Sequence, residues 1–145
     1  MLSQTAEYAL RAMAHLASLP EEAQTAQQIA GQTLVPLPYL SKVLQLLGKA
    51  GLISAQRGLH GGFRLLRLPT EITIYEVVQA VDPLKRITVC PLAIATHGSN
   101  LCPLHRQLDN AVGQIEESFR SVTLAEVLSE PGSNRPLCAT PNPAV

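Results

Sequence analysis

Apolar residues recur at three- and four-residue spacing over residues 3–18, where Ala6, Leu10, Met13, Leu16 and Ala17 mark one face of a helix. Ser3 or Thr5 is placed to cap its start. "LPEEAQT" breaks the pattern, and "TAQQIAGQ" opens a short second helix with Thr25 as its cap. "LVPLP" then forces a tight turn, because its two prolines prevent the next helix from extending backwards. A third helix is predicted from about Leu37 to Ala50. Its inner stripe is Leu40, Val43, Leu44 and Leu47, and Ser41, Lys42, Gln45 and Lys49 lie opposite. Gly51 ends it, where a left-handed backbone is cheap for glycine. Strand-like segments flank "RGLHGG", whose glycines permit a tight hairpin. "TIYEVVQAVD" is a fourth helix with Ile74, Val77 and Val81 inward. Pro103 suits the first position of a long helix running to about Arg120. Along it Leu104, Leu108, Ala111, Ile115, Phe119 and then Val122 repeat at spacings of four and three, close to a heptad seam. "TLAEVLSE" makes a last short helix, and the Pro-rich residues 131–145 are predicted to be disordered.

Helix, short helix, turn, helix and glycine-tipped hairpin is the order of a winged helix-turn-helix. The expected fold is therefore mainly α, with a two-stranded wing and one long further helix. On this scaffold the third helix has an apolar face to anchor it and a polar face to offer a major groove. The hairpin carries Arg57 and His60 at a tip able to approach a backbone or a minor groove closely. A protein-interaction module without DNA binding is the other use of the same scaffold.

Composition adds three constraints. The 145 residues are 46% apolar, enough for the core of one domain. No apolar run is long enough to span a membrane, and the first residues carry Glu7 without a basic-then-apolar leader, so a cytoplasmic location is expected. Net charge is zero, yet residues 1–68 hold six Lys/Arg against three acids and the remainder five against eight, which divides the chain into halves of +3 and −3. That split points to a basic working face in the first half. No Gly-rich phosphate loop, nucleophile–base spacing or catalytic carboxylate pair is visible, so an enzyme is not expected.

Candidate chemistry concentrates in "CPLAIATHGSNLCPLH", Cys90 to His105. Three cysteines, Cys90, Cys102 and Cys138, are an odd number, and in a cytosolic chain they favour metal or redox chemistry over a structural disulfide. Cys102 and His105 stand three apart at a helix start and share a face. Imidazole can replace thiolate on one iron of a cluster. Cys138, in the tail, is expected to have no ligand role, and His15 reads as a helix-face residue.

"TAEYALRAMAHLASLPE", "YLSKVLQLLGKAGLI", "RGLHGGFRL" and "EVVQAVD" together resemble the Rrf-type bacterial regulators over about residues 1–130. The resemblance implies a homodimeric transcription factor, a repressor, on a palindromic operator in double-stranded DNA, with the long helix pairing two subunits. It divides the chain into a winged domain (1–84), a sensor loop (85–102), a dimerisation helix with a short terminal helix (103–130) and the tail (131–145). Base-reading positions correspond to Pro38, Ser41 and Lys42, with Arg57 in the wing; Gln45 and His60 complete the candidate set. Pro36 and Pro38 replace polar residues common there, and His60 stands where glycine is frequent.

Many members hold an iron–sulfur cluster on three loop cysteines. Cys90 and Cys102 match the outer two, and Thr96 occupies the middle position. His105 matches a histidine ligand of the iron–sulfur-regulator branch. Glu7 resembles a carboxylate given by the partner's first helix in the nitric-oxide-sensitive branch. The implied ligands are Cys90, Cys102, His105 and Glu7, with [2Fe–2S] easier to envisage than [4Fe–4S] on so few thiolates. The implied signal is redox state, nitric oxide or iron–sulfur status. A thiol switch on Cys90 and Cys102, or no cofactor at all, stays open.

Overall fold

The structure, a computed structural model, describes residues 2–97 and 100–131. The described residues form α1 (Gln4–Ser18), α2 (Ala26–Thr33), α3 (Leu37–Lys49), β1 (Ile53–Gln56), β2 (Gly62–Leu65), α4 (Ile74–Val81), α5 (Pro103–Arg120) and α6 (Leu124–Ser129). The order is that of the hydrophobic pattern. No helix among the described residues is long and apolar enough to cross a membrane.

Local chemistry sets the helix starts. The Ser3 hydroxyl accepts from the Ala6 N–H at 3.2 Å. Thr25, Thr73 and Thr123 each form a reciprocal capping box, with Gln28, Glu76 and Glu126 respectively. The starts of α3 and α5 have no side-chain cap and instead carry proline in the first turn, where an N–H would lack an intrahelical acceptor.

The core surrounds α1. Ala9, Ala12, Met13, Leu16 and Ala17 meet Ile29 of α2, Leu40, Val43, Leu44 and Leu47 of α3, Val77 of α4 and Leu124 of α6. The periodicity marked one stripe on α1, but every residue from Ala12 to Ala17 is buried. Alanine makes this possible: its small side chain lets several helices approach α1 from different sides. Truncating one of the fully buried leucines, Leu40 or Leu47, removes about 2–5 kcal/mol on general precedent.

Between α2 and α3, Val35 points into the core while the exposed Leu34 takes a left-handed backbone, φ 56°. That turn fixes the angle at which α3 leaves. β1 and β2 pair antiparallel in the register Ile53↔Leu65 to Gln56↔Gly62. Gln24 adds a short third partner: its N–H donates to Phe63 O at 2.9 Å, and Phe63 N–H donates to Gln24 O at 2.7 Å. Sequence pattern gave no hint of this, because residues 19–25 read as a break. The chain after α5 returns to the winged domain. Ile74 N–H donates to Val122 O at 3.0 Å, Leu124 N–H donates to Ile72 O at 2.9 Å, and Leu124 is buried.

Candidate nucleic-acid interface and sensor loop

Pro38, Ser41, Lys42 and Gln45 are exposed, opposite the buried Leu40, Val43, Leu44 and Leu47. Their spacing of three, four and seven places them on one face of α3. The Ser41 hydroxyl donates to Leu37 O at 3.0 Å, so its lone pairs remain for an outside donor. Tyr39, also exposed, lies beside Tyr8 of α1 with ring centroids 6.2 Å apart. In the wing Arg57 and His60 are exposed at the tip. Arg64 steadies the wing base by donating from Nη2 to Glu21 O at 3.0 Å.

The stem of the loop that precedes α5 is held on α5 by one arginine. Arg86 Nε and Nη2 donate to the two Asp109 carboxylate oxygens at 2.8 and 2.7 Å. Ile87 N–H donates to Asp109 Oδ1 at 2.8 Å. Arg86 Nη1 also reaches Glu116 at 3.4 Å, and Arg120 lies 3.7 Å from the same buried carboxylate. Arg120 in turn stacks over the Tyr75 ring of α4, 3.9 Å from its centroid. The hydrogen bonds from Arg86 and then Ile87 hold the Asp109 carboxyl down to about 2. Arg86 passes over Gly113, where a Cβ would stand 3.1 Å from its guanidinium. This clasp was missed in the sequence. Its trace is Asp109, Gly113 and Glu116, which share one face of α5, with a lone arginine before the loop.

Beyond the stem, Cys90 is buried and Thr96 is exposed in a short turn, Ala95–His97. Cys102 is the N-cap of α5, and its Sγ lies 3.1 Å from His105 Nδ1. The shared face expected for this pair is therefore present. Glu7 sits on α1 in an ion pair with Arg11 at 2.9 Å. It lines a surface pocket of about 340 Å³ with Leu10, Arg11, Ala14, Ile74, Leu124 and Val127, none of them from the loop that precedes α5. Arg11 Nη1 also reaches Thr33 O, at the end of α2, at 3.5 Å. Among the described residues no three of His, Cys, Asp and Glu come close enough together to hold a metal ion. Of the four expected ligands, one chain thus brings together Cys102 and His105, a thiol–imidazole pair of the type iron accepts, and does not add Cys90 or Glu7 to them. Cys138 lies outside the described residues.

His15 is buried on α1, and its Nε2 has no hydrogen-bond partner among the described residues. Burial pushes its pKa below the ordinary 6.5, opposed in part by hydrogen bonding to the Gln24 side chain. The unfolded chain then takes up this proton at a higher pH than the folded one. Stability from the neutral ring is complete above pH 6.5 and lost as pH falls below it towards the lowered native value. Urea midpoints between pH 7.5 and 5 should show this decline, and His15→Leu should flatten it.

Comparison with known proteins agrees with this geometry. The Rrf2 family profile, described as "Iron-dependent Transcriptional regulator", matches residues 2–130. The HTH-type transcriptional regulator NsrR of Geobacillus kaustophilus is 34% identical over 142 residues, covering 94% of this chain and 95% of that protein. T. potens IscR superposes with a TM-score of 0.73 at 26% identity, over 88% of this chain and 85% of its own. CymR (YrzC), the global cysteine regulator of B. subtilis, gives 0.75 over 91% and 98%; at 24% identity the likeness is one of fold. A helix-turn-helix on α2 and α3, a wing on β1 and β2, and a profile match along nearly the whole chain lead to one conclusion: the chain belongs to the Rrf2 family of transcriptional regulators.

Proposed function

We propose that this chain is a dimeric repressor whose grip on a palindromic DNA operator is set by the state of the loop from Cys90 to His105. One observation carries the reading: the Cys102–His105 pair, 3.1 Å apart, begins the same helix to which Arg86 fastens the other end of the loop. Pro38, Ser41, Lys42 and Gln45 face the major groove, and Arg57 and His60 reach the adjoining backbone from the wing. Leu104 and Leu108 lie on the α5 seam and are exposed in the single chain. A second copy would bury them, which is the usual fate of a heptad seam. Pairing through α5 would set the separation of two α3 helices, and half-sites sit about 34 Å apart.

Cys90, Cys102 and His105, with Glu7 of the partner subunit, are the residues that would hold an iron–sulfur cluster, [2Fe–2S] by its thiolate count. Such a cluster supplies iron that binds nitric oxide and changes charge with redox state. The chain's own part is mechanical. The Arg86 clasp keeps the loop stem fixed on α5. Glu7 holds Arg11, and Arg11 reaches the last carbonyl of α2, next to the turn that aims α3. A change of partner at Glu7 is thereby passed to the recognition helix. Glu7→Ala should alter the visible spectrum of anaerobically purified protein and leave the dimer intact in sedimentation; an unchanged spectrum removes Glu7 from the ligand set.

A second reading, a cofactor-free thiol switch, draws on the same cysteine–imidazole contact and on the absence of a three-ligand group among the described residues. Anaerobic purification separates the two. Visible absorption with near-stoichiometric iron and sulfide supports the cluster, whereas colourless protein that binds DNA supports a cofactor-free regulator, of which the thiol switch is one form. No duplex bound at low salt by either form contradicts both.

A further inference from the structure

Leu59 is the most exposed large apolar side chain among the described residues, at 95%. It stands at the wing tip between Gly58 and His60, two residues after Arg57. The glycines around it hold the tip in one shape. Gly58 has φ +118°, and Gly61 N–H donates back to Gly58 O at 3.0 Å. A Cβ on Gly61 would stand 2.3 Å from Gln56 O, and one on Gly62 would stand 2.6 Å from Gln24 O. The tip is thus a close-packed backbone turn, and it carries Leu59 away from the core.

Leu59 belongs to no core cluster among the described residues, and its place between Arg57 and His60 at the wing tip sets it where a nucleic-acid groove would cover it. Arg57 and His60 flank it with polar groups suited to phosphate or to base acceptors, and Leu59 is the apolar surface between them. Resting on the DNA-binding reading, we propose that Leu59 enters the minor groove and selects A·T over G·C pairs beneath the wing. In that groove A·T and T·A present only acceptors along the floor, and G·C adds the guanine N2 amino donor. A leucine over either pair covers the acceptors of the groove floor, so that cost is common to both. Over G·C it strips water from an amino donor and returns no acceptor, a desolvation penalty amounting to about a tenfold loss of affinity.

The test uses duplexes that the full-length protein enriches from a random-sequence library. Each A·T pair flanking the half-sites is replaced in turn by G·C and by inosine·C, which lacks the N2 amino group. Beneath the wing, G·C should weaken wild-type binding about tenfold and inosine·C should not. Leu59→Ser should erase that difference and leave the salt dependence unchanged, because no phosphate contact is lost. Arg57→Ala should instead reduce the salt slope by about 1 and leave the difference between G·C and inosine·C in place. Equal wild-type affinity for G·C and inosine·C at every flanking pair, discrimination that survives Leu59→Ser, or a uniform loss in that variant overturns the assignment. Failure to enrich any duplex overturns the DNA-binding reading itself, and Leu59's role with it.

Discussion

Gly62→Ala is expected to destabilise the fold by about 3 kcal/mol and to weaken operator binding on the order of a hundredfold. Two independent features of Gly62 lead to this. Its backbone has φ +144°, a region L-residues rarely adopt, and its Cβ would stand 2.6 Å from both the carbonyl carbon and oxygen of Gln24. Those obstacles are backbone atoms, and two hydrogen bonds between Gln24 and Phe63 hold them in place. Relief requires the wing to leave Gln24, which carries Arg57, Leu59 and His60 off the duplex. Gly58 supplies the control. It too has a positive φ, +118°, but no atom lies within 4 Å of its would-be Cβ. Gly58→Ala should therefore show only the backbone penalty, about 1 kcal/mol, and retain most of the affinity. Urea denaturation and fluorescence anisotropy on one enriched duplex measure both effects.

Arg86→Met is expected to separate signal from response. Methionine keeps an apolar stem and removes the guanidinium shared by Asp109 and Glu116. With Arg86 gone, Asp109 retains the Ile87 N–H, and the buried Glu116 retains only its longer contact to Arg120. The loop stem then keeps one hydrogen bond to α5, from the Ile87 N–H, in place of the two-pronged arginine clasp. The variant should bind DNA in the unsignalled state and lose the change in affinity proposed for the wild type on exposure to nitric oxide or oxidant. An acid titration checks the clasp separately. With its carboxyl held at about 2 against the ordinary 3.8, Asp109 contributes stability that is complete above pH 3.8 and lost as pH falls towards 2. Arg86→Met should abolish most of that acid-dependent part. A variant that still responds to the signal would remove the clasp from the coupling route.

Most of the fold was legible because it is written in periodicity and caps. The stripe Leu40, Val43, Leu44 and Leu47, the capping residues Ser3 and Thr25, and the glycines of "RGLHGG" all predicted what the structure contains. The misses share a cause. Gln24 pairing with Phe63 and Arg86 clasping Asp109 join residues 39 and 23 positions apart through contacts that no local period records. The full burial of α1 was not legible, since Ala9, Ala12 and Ala14 fall outside the one stripe that Ala6, Leu10, Met13, Leu16 and Ala17 mark. At the candidate site, the spacing of Cys102 and His105 correctly predicted their approach. The relation of Glu7 to the loop came from the family resemblance alone, because no local period records a contact proposed to arise between two copies.

The proposed function depends on the loop from Cys90 to His105 governing DNA affinity. The most direct measurement is the dissociation constant for one enriched duplex, taken anaerobically before and after stoichiometric nitric oxide, for wild type and Cys102→Ser. The constant should change about tenfold or more in the wild type and not at all in Cys102→Ser. Tight binding with the same constant in all four measurements would contradict the loop's control of affinity.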